Sequence, residues 1–160
     1  MLEQGKTVIR LEPVTPENWR LGLAVEEAQK RFVSNSDRIL ARAWAYRDER
    51  SRAFVAYADE TPVGMALYYD EARIGAYVFS ELFIDARYQR RGYGRETARQ
   101  MLRLMEDDGR FDRVVLCYID GNDAARQLYE ALGFRPTGER DGDEIIMEKH
   151  LERSERHVHR

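Results

Sequence analysis

One stretch in the middle of the chain constrains its fold more than any other. The run Tyr77–Ile84 reads as a strand, and its unbroken apolar end, Leu82-Phe83-Ile84, is typical of a strand that is covered on both faces. A charged loop with two glycines, Gln89-Arg-Arg-Gly-Tyr-Gly-Arg95, follows this strand. Residues 92–108 then show the apolar spacing of a helix. The sequence therefore predicts a buried central strand that leads through a glycine loop into a helix.

The rest of the chain predicts a mixed α/β sheet. Alternating or β-branched runs predict strands at 7–14, 53–58, 63–69, 114–119, 135–139 and 144–149. Helical spacing and capping residues predict helices at 16–31, after Ser36 and at 122–132. Together with the central strand and its helix, this makes about seven strands and four helices. We expect a single domain over residues 1–151 and a polar tail over residues 152–160.

Composition excludes several classes of protein. With 43% hydrophobic and 34% charged residues the chain is too apolar for disorder, and no apolar run approaches the roughly 20 residues of a membrane span. The N-terminus lacks the pattern of a secretory signal, so we expect a cytoplasmic protein without a membrane partner. Cys117 is the only cysteine, and the three histidines all fall in the last eleven residues, so we expect no disulfide and no metal site.

The loop after the central strand is basic in a chain whose net charge is −3. Six of the 23 arginines lie between Arg87 and Arg103, and five of these six repeat every four residues. Loop glycines let the backbone approach a ligand, and the N-terminus of the following helix favours an anion. The loop thus predicts a phosphate or pyrophosphate site, to which Arg90, Arg91 and Arg95 add positive charge.

Other interpretations of this loop are weaker. A nucleoside-triphosphate loop needs Gly-Lys-Ser/Thr, and the chain has no lysine between Lys30 and Lys149. A dinucleotide fingerprint needs a small residue where this chain has Thr97. The net charge disfavours nucleic-acid binding along the arginine repeat. Taken alone, however, the loop is equally compatible with a tight turn beside solvated arginines.

A second motif decides between the phosphate site and the plain turn. Gln89-x-x-Gly92-x-Gly94, followed downstream by Asn122-x-x-Ala125-x-x-x-Tyr129-x-x-x-Gly133-Phe134, resembles the GNAT superfamily of N-acetyltransferases. The resemblance implies a mixed, mostly antiparallel sheet, acetyl-CoA as co-substrate, and a homodimer. Residues 13–19, 61–65 and 83–89 further resemble the bacterial spermine/spermidine acetyltransferase branch, which implies a polyamine acceptor.

The resemblance also implies roles for individual residues. Backbone groups of Leu82, Phe83 and Ile84 would pair with the pantetheine arm of the coenzyme. Asn122 would contact the coenzyme where two strands splay apart, and Tyr129 would face the thioester sulfur. The pyrophosphate would be held by N–H groups of the loop residues Arg90, Arg91, Gly92, Tyr93, Gly94 and Arg95.

The chemistry of acetyl transfer needs two proton transfers. An attacking amine must lose a proton, and the departing thiolate is helped by a proton donor, a role that suits Tyr129. Glu81 is the one acid in the central strand, and partial desolvation there would raise its pKa toward that of a usable base, acting directly or through water. An anchor for the substrate amine is the alternative role. Cys117 lies among apolar residues, so we expect it to pack in the core and not to carry the acetyl group.

The sequence therefore predicts direct acetyl transfer, in a ternary complex, to the primary amine of a small molecule such as spermidine or spermine. A protein N-terminal or lysine acetyltransferase and a non-catalytic acyl-CoA-binding module are the alternatives, and the second would not need Tyr129. A polycationic acceptor also needs an acidic entrance. The candidate acids are Glu26, Glu27, Asp37, Asp70, Glu71 and Glu81.

Overall fold

The computed structural model describes residues 8–33 and 35–152, and seven of its segments form one sheet. The strands are β1 (Ile9–Pro13), β2 (Arg52–Ala58), β3 (Thr61–Glu71), β4 (Ala76–Ile84), β5 (Arg113–Ile119), β6 (Arg135–Asp141) and β7 (Glu144–His150). Their order in the sheet is β1-β2-β3-β4-β5-β7-β6, and only the β4–β5 pair is parallel. The mixed, mostly antiparallel sheet and the central position of β4 are confirmed.

Three α-helices flank the sheet. They are α1 (Ser36–Ala45), α2 (Tyr93–Asp108) and α3 (Asp123–Ala131). The side chain of Asn35 caps α1 by accepting a hydrogen bond from the Arg38 N–H at 2.8 Å, and Asn122 caps α3 in the same way. Gly109, in the left-handed conformation at φ 69°, ends α2. These three predicted helices are confirmed.

The fourth predicted helix, over residues 16–31, is wrong. The segment contains turns, irregular chain and a short 3₁₀ turn at Glu27–Gln29. The Asn18 side chain accepts a hydrogen bond from the Thr15 N–H at 2.7 Å, which closes a local turn at the expense of a helix. Gly22 then takes a left-handed conformation at φ 68°, which a continuous helix cannot contain.

The core has one layer on each face of the sheet. Met101 and Met105 of α2 pack against Phe79 on one face, whereas Ile39 of α1 belongs with Phe83 to a separate cluster on the other. The central strand is therefore covered on both faces, as predicted. None of the helices in the described ranges is long and apolar enough to cross a bilayer. Residues 153–160 of the predicted tail, with His157 and His159, lie outside the described residues.

Candidate active site

The two parallel strands at the centre of the sheet separate after a short contact. The pairing of β4 with β5 consists of Tyr77 with Val114 and Val78 with Val115. Backbone N–H and C=O groups of a strand point alternately to its two edges. The edge of β4 that faces β5 beyond Val78 can therefore offer donors and acceptors to an extended ligand, much as a missing strand would use them.

A cavity of about 230 Å³ lies in this gap. Its walls include predicted site residues from both motifs and from the strand between them: Glu81, Leu82, Phe83, Ile84, Gly94, Asn122 and Tyr129. Gly94 at the start of α2 and Asn122 at the start of α3 line this cavity together, although the two motifs are far apart in the sequence. The predicted glycine loop and the predicted downstream helix thus border one cavity.

The loop before α2 has an unusual backbone. Arg90 and Gly92 both have positive φ, at 63° and 80°, and Gly92 is the N-cap of the helix. A β-carbon at Gly94 would lie 3.6 Å from Ile84 Cγ1, which is an ordinary packing distance. Packing in the protein therefore does not require a glycine at position 94, which leaves the close approach of a ligand as the predicted reason. The remaining predicted loop residues, Arg91, Tyr93 and Arg95, lie beside this glycine.

The Tyr129 ring lies edge-on to two phenylalanines, at centroid distances of 6.1 Å from Phe79 and 5.7 Å from Phe134. Burial, followed by the negative charge of Glu81, raises the pKa of Tyr129 above its ordinary value. The hydroxyl consequently keeps its proton at neutral pH. A proton donor in the gap must be in that state before the reaction begins.

The position of Glu81 depends on a β-bulge in β4. Tyr68 of β3 pairs with Phe79 and Leu67 pairs with Glu81, so Ser80 is an extra residue on β4. The bulge reverses the alternation of side chains, so Glu81 faces α1 and not α2. There its Oε1 atom accepts a hydrogen bond from Arg42 Nη1 at 2.6 Å, and Arg42 also donates to Ser80 Oγ at 3.1 Å. The bulge thus places Glu81 in an ion pair with Arg42.

Cys117 is not in the core, contrary to the prediction. It is exposed and contributes to the gap cavity, because the opening between β4 and β5 leaves this position of β5 uncovered. Partial desolvation of the thiol, followed by the charges of Glu144 and Asp141, raises the pKa of Cys117. The thiol therefore stays protonated at neutral pH and is a poor nucleophile.

A second cavity, which we name the acceptor cavity, adjoins the gap and has a volume of about 480 Å³. The two cavities share six residues: Phe32, Val33, Ser80, Glu81, Cys117 and Tyr118. One ligand in each cavity would therefore meet the other beside the bulge of β4. This geometry suits a reaction between two bound substrates.

Comparison with known proteins identifies the family. The model of the acetyltransferase (GNAT) family matches residues 16–134 of the chain. The protein belongs to this family. As an acetyltransferase of this family it is an enzyme that uses acetyl-CoA as its co-substrate. No protein of curated function matches the sequence.

Several solved structures are similar in fold to this acetyltransferase. Spermidine N-acetyltransferase from Vibrio cholerae, in complex with CoA and spermine, has a TM-score of 0.72 and 17% identity, over 91% of this chain and 96% of that one. Ribosomal-protein-S18-alanine N-acetyltransferase from Escherichia coli has a TM-score of 0.68 and 18% identity, over 95% of this chain and 99% of that one. An aminoglycoside acetyltransferase in complex with coenzyme A has a TM-score of 0.73 and 15% identity, over 94% of this chain and 99% of that one. At these identities the similarity concerns the fold and leaves the acceptor open.

Gln29 and Gln89, which both border the gap cavity, form a pair that the sequence did not predict. Gln89 donates to the Ile84 carbonyl at 2.8 Å, and it exchanges hydrogen bonds with the side chain of Gln29 at 2.9 and 3.0 Å. The Ile84 carbonyl, one of the groups predicted to meet pantetheine, therefore already has a donor. Gln89 was visible in the loop motif, but its partner lies in the segment that was predicted to be helical.

Asp85 joins the same segment to the end of β4. Its buried carboxylate accepts hydrogen bonds from the N–H groups of Ala24 and Arg87, both at 2.9 Å, and from the Arg87 side chain. Burial acts to raise the pKa of Asp85, but these hydrogen bonds outweigh it and lower the pKa. Asp85 thus holds Ala24, directly before the residues 25–33 that border the two cavities.

Within the described ranges no group of three or more His, Cys, Asp or Glu residues is arranged to hold a metal ion.

Proposed function

We propose that the protein transfers the acetyl group of acetyl-CoA to the primary amine of a small molecule, directly and in a ternary complex. One observation carries this proposal: the gap and the acceptor cavity meet at Ser80, Glu81, Cys117 and Tyr118. Two substrates that enter from different sides can therefore react without a covalent carrier. The protonated thiol of Cys117 supports the same conclusion.

In the proposed reaction, the bound ammonium first loses one proton to solvent water. The neutral amine then attacks the thioester carbonyl, so that a C–N bond forms as the C–S bond breaks. Tyr129 gives its proton to the departing thiolate, and the proton lost by the amine returns to the tyrosinate through water. Leu82, Phe83 and Ile84 bind the pantetheine arm, with Ile84 contributing its N–H. Asn122 contacts the coenzyme at the base of the gap. The N–H groups of Arg90, Arg91, Gly92, Tyr93, Gly94 and Arg95 hold the pyrophosphate.

For Glu81 we propose the role of an anchor that attracts the substrate ammonium. Its carboxylate lies at the junction of the two cavities, where Arg42 holds it in place through a charge-assisted hydrogen bond of 2.6 Å. A fixed negative charge beside the reaction centre still favours the approach of a cation.

The polyamine acceptor stays a prediction, as do the homodimer, the cytoplasmic location and the single domain. Of the six acids considered for an acidic entrance, only Glu81 borders the acceptor cavity. Asp70 is buried beneath three arginines, Arg50, Arg52 and Arg110. Spermidine and spermine are nevertheless tested, because a polyamine acetyltransferase is among the similar structures.

A panel of amines with acetyl-CoA, followed by release of free thiol, tests the proposal. The panel contains spermidine, spermine, an aminoglycoside, a peptide with a free N-terminus and small amino acids. We expect thiol release that depends on a small amine. A protein that binds acetyl-CoA but releases no thiol with any amine would be a non-catalytic acyl-CoA-binding module, and release only with the peptide would indicate a protein acetyltransferase.

A further inference from the structure

The acceptor cavity has walls of opposite charge. Four cationic residues border it from the chain between residues 30 and 42: Lys30, Arg31, Arg38 and Arg42. Three acidic residues border it from the sheet: Glu81, Asp141 and Glu144. The cations come from α1 and the segment before it, whereas Asp141 and Glu144 face each other across the end of the β6–β7 hairpin.

The cationic wall is only partly neutralised. Arg42 pairs with Glu81, and Lys30 forms an exposed pair with Glu27 at 2.7 Å. For Arg31 and Arg38, no carboxylate of the described residues lies within ion-pair distance. Arg31 instead lies over the Phe32 ring at 4.4 Å. Arg38 is in the first turn of α1, where its backbone is held by the Asn35 cap. The wall thus presents the exposed side chain of Arg38 from a backbone position that the cap fixes.

The acidic side of the cavity adjoins the reaction centre. Cys117 borders both cavities, and its thiol experiences the negative charges of Glu144 and Asp141. An ammonium group would be attracted to this side, next to the place where the thioester is expected. The opposite wall, with Arg38, would attract an anion.

We propose that the acceptor is a primary amine that also carries a carboxylate, bound with its amine toward the acidic side formed by Glu81, Glu144 and Asp141 and with its carboxylate on Arg38. This inference rests on the proposed function and names its substrate class. A guanidinium and a carboxylate form two parallel charge-assisted hydrogen bonds, which gives both affinity and orientation. A polyamine or an aminoglycoside would instead place positive charge against the cationic wall, where like charges disfavour binding.

Matched acceptors test the inference. The ω-amino acids from glycine to 6-aminohexanoate are compared, at each carbon number, with the corresponding diamine and the corresponding monoamine. At the preferred length we expect kcat/KM for the amino acid to exceed that of the diamine by about tenfold or more, the effect of one charge-assisted hydrogen bond. If no amino acid exceeds its diamine, or if the protein acetylates no member of the series, the inference is overturned.

Variants of Arg38 test whether this residue binds the carboxylate of the acceptor. In Arg38→Gln we expect KM for the preferred amino acid to rise by about ten- to a hundredfold, while KM for acetyl-CoA is unchanged. In Arg38→Glu we expect the preference to shift toward the diamine. Arg47→Gln is the matched control, because Arg47 is exposed just beyond α1, stacked on Trp44, and does not border the cavity. An unchanged KM for the amino acid in both Arg38 variants would overturn the inference. If the wild-type protein neither binds acetyl-CoA nor releases thiol with any amine, the proposed function itself is refuted.

Discussion

At the scale of single residues, one inserted position controls the site. Ser80 is the extra residue of the β4 bulge, and it turns Glu81 toward Arg42 of α1. The sequence identified Glu81 as the acid of the central strand, but it could not identify its partner. The two residues are 39 positions apart in the sequence. The bulge forms only when β3 and β4 pair, so the hydrophobic pattern of β4 alone does not predict it.

The proposed anchoring role of Glu81 predicts a specific kinetic change. In Glu81→Gln the charge is lost and the shape is kept, so we expect KM for the amine to rise about tenfold while the pH profile of kcat keeps its form. Steady-state kinetics over a range of pH measure both quantities. Glu60→Gln, in the exposed β2–β3 turn, is the control. A loss of kcat that is largest near neutral pH and shrinks as the pH rises would show that Glu81 is the general base.

Tyr129→Phe removes one hydroxyl and keeps the ring that contacts Phe79 and Phe134. We therefore expect normal folding and normal acetyl-CoA binding, with turnover lower by about 10²–10⁴-fold, the usual contribution of a positioned acid. An acyl donor whose thiol has a lower pKa should lose less rate, because its thiolate needs less help to leave. Normal turnover in a folded variant would transfer the donor role to water or to Tyr118.

At the scale of elements, the central strand, the glycine loop and helices α2 and α3 were predictable, because each has a strong local pattern. The segment at 16–31 was not, because its helical composition is overruled by the Asn18 turn and by Gly22. Cys117 was assigned to the core from its apolar neighbours. Its exposure follows from the divergence of β4 and β5, which is a property of strand pairing and not of the local sequence.

The loop and β4 together predict contrasting effects of two glycine substitutions. A β-carbon at Gly64 would lie 2.3 Å from the Phe83 carbonyl, so Gly64→Ala must displace β4 and should destabilise the fold by about 1–3 kcal/mol. Gly94→Ala has room beside Ile84 in the protein, so we expect its melting temperature without ligand to be unchanged or higher.

The shift in melting temperature caused by acetyl-CoA tests the role of Gly94. In the wild type it should raise the melting temperature, because it binds only the native state. In Gly94→Ala we expect this shift to be reduced or lost, because the methyl group would lie in the proposed path of the coenzyme. A full shift in Gly94→Ala and in a bulkier variant, Gly94→Val, would show that the loop is not part of the acetyl-CoA binding site.

At the scale of the whole molecule, a charged cluster joins the start of β2, the end of β3, the start of β4 and the end of α2. Asp108 accepts hydrogen bonds from Arg50 and, at 2.5 Å, from Tyr77. Burial acts to raise the pKa of Asp108, but these bonds outweigh it, and the pKa lies below its ordinary value. A carboxyl group with a lowered pKa in the folded state stabilises the fold above its unfolded pKa, and this contribution is lost as the pH falls through the folded pKa.

We therefore expect the melting temperature to fall as the pH is lowered below about 4, the ordinary range of an aspartate. Asp108→Asn should start from a lower melting temperature at pH 7 and show a smaller further decrease in acid. Thermal unfolding at several pH values measures this, with Asp107→Asn, on the exposed side of the same helix end, as the control. An identical acid dependence in Asp108→Asn and wild type would show that the cluster does not titrate with folding.

In the proposed mechanism both substrates are bound when the acetyl group moves, because the two cavities meet at one point. Two-substrate kinetics with an accepted amine test this most directly, together with a search by mass spectrometry for acetylated protein in the absence of amine. We expect intersecting double-reciprocal plots, thiol release only when both substrates are present, and no acetylated Cys117. Parallel plots with an acetyl group on the protein would contradict direct transfer.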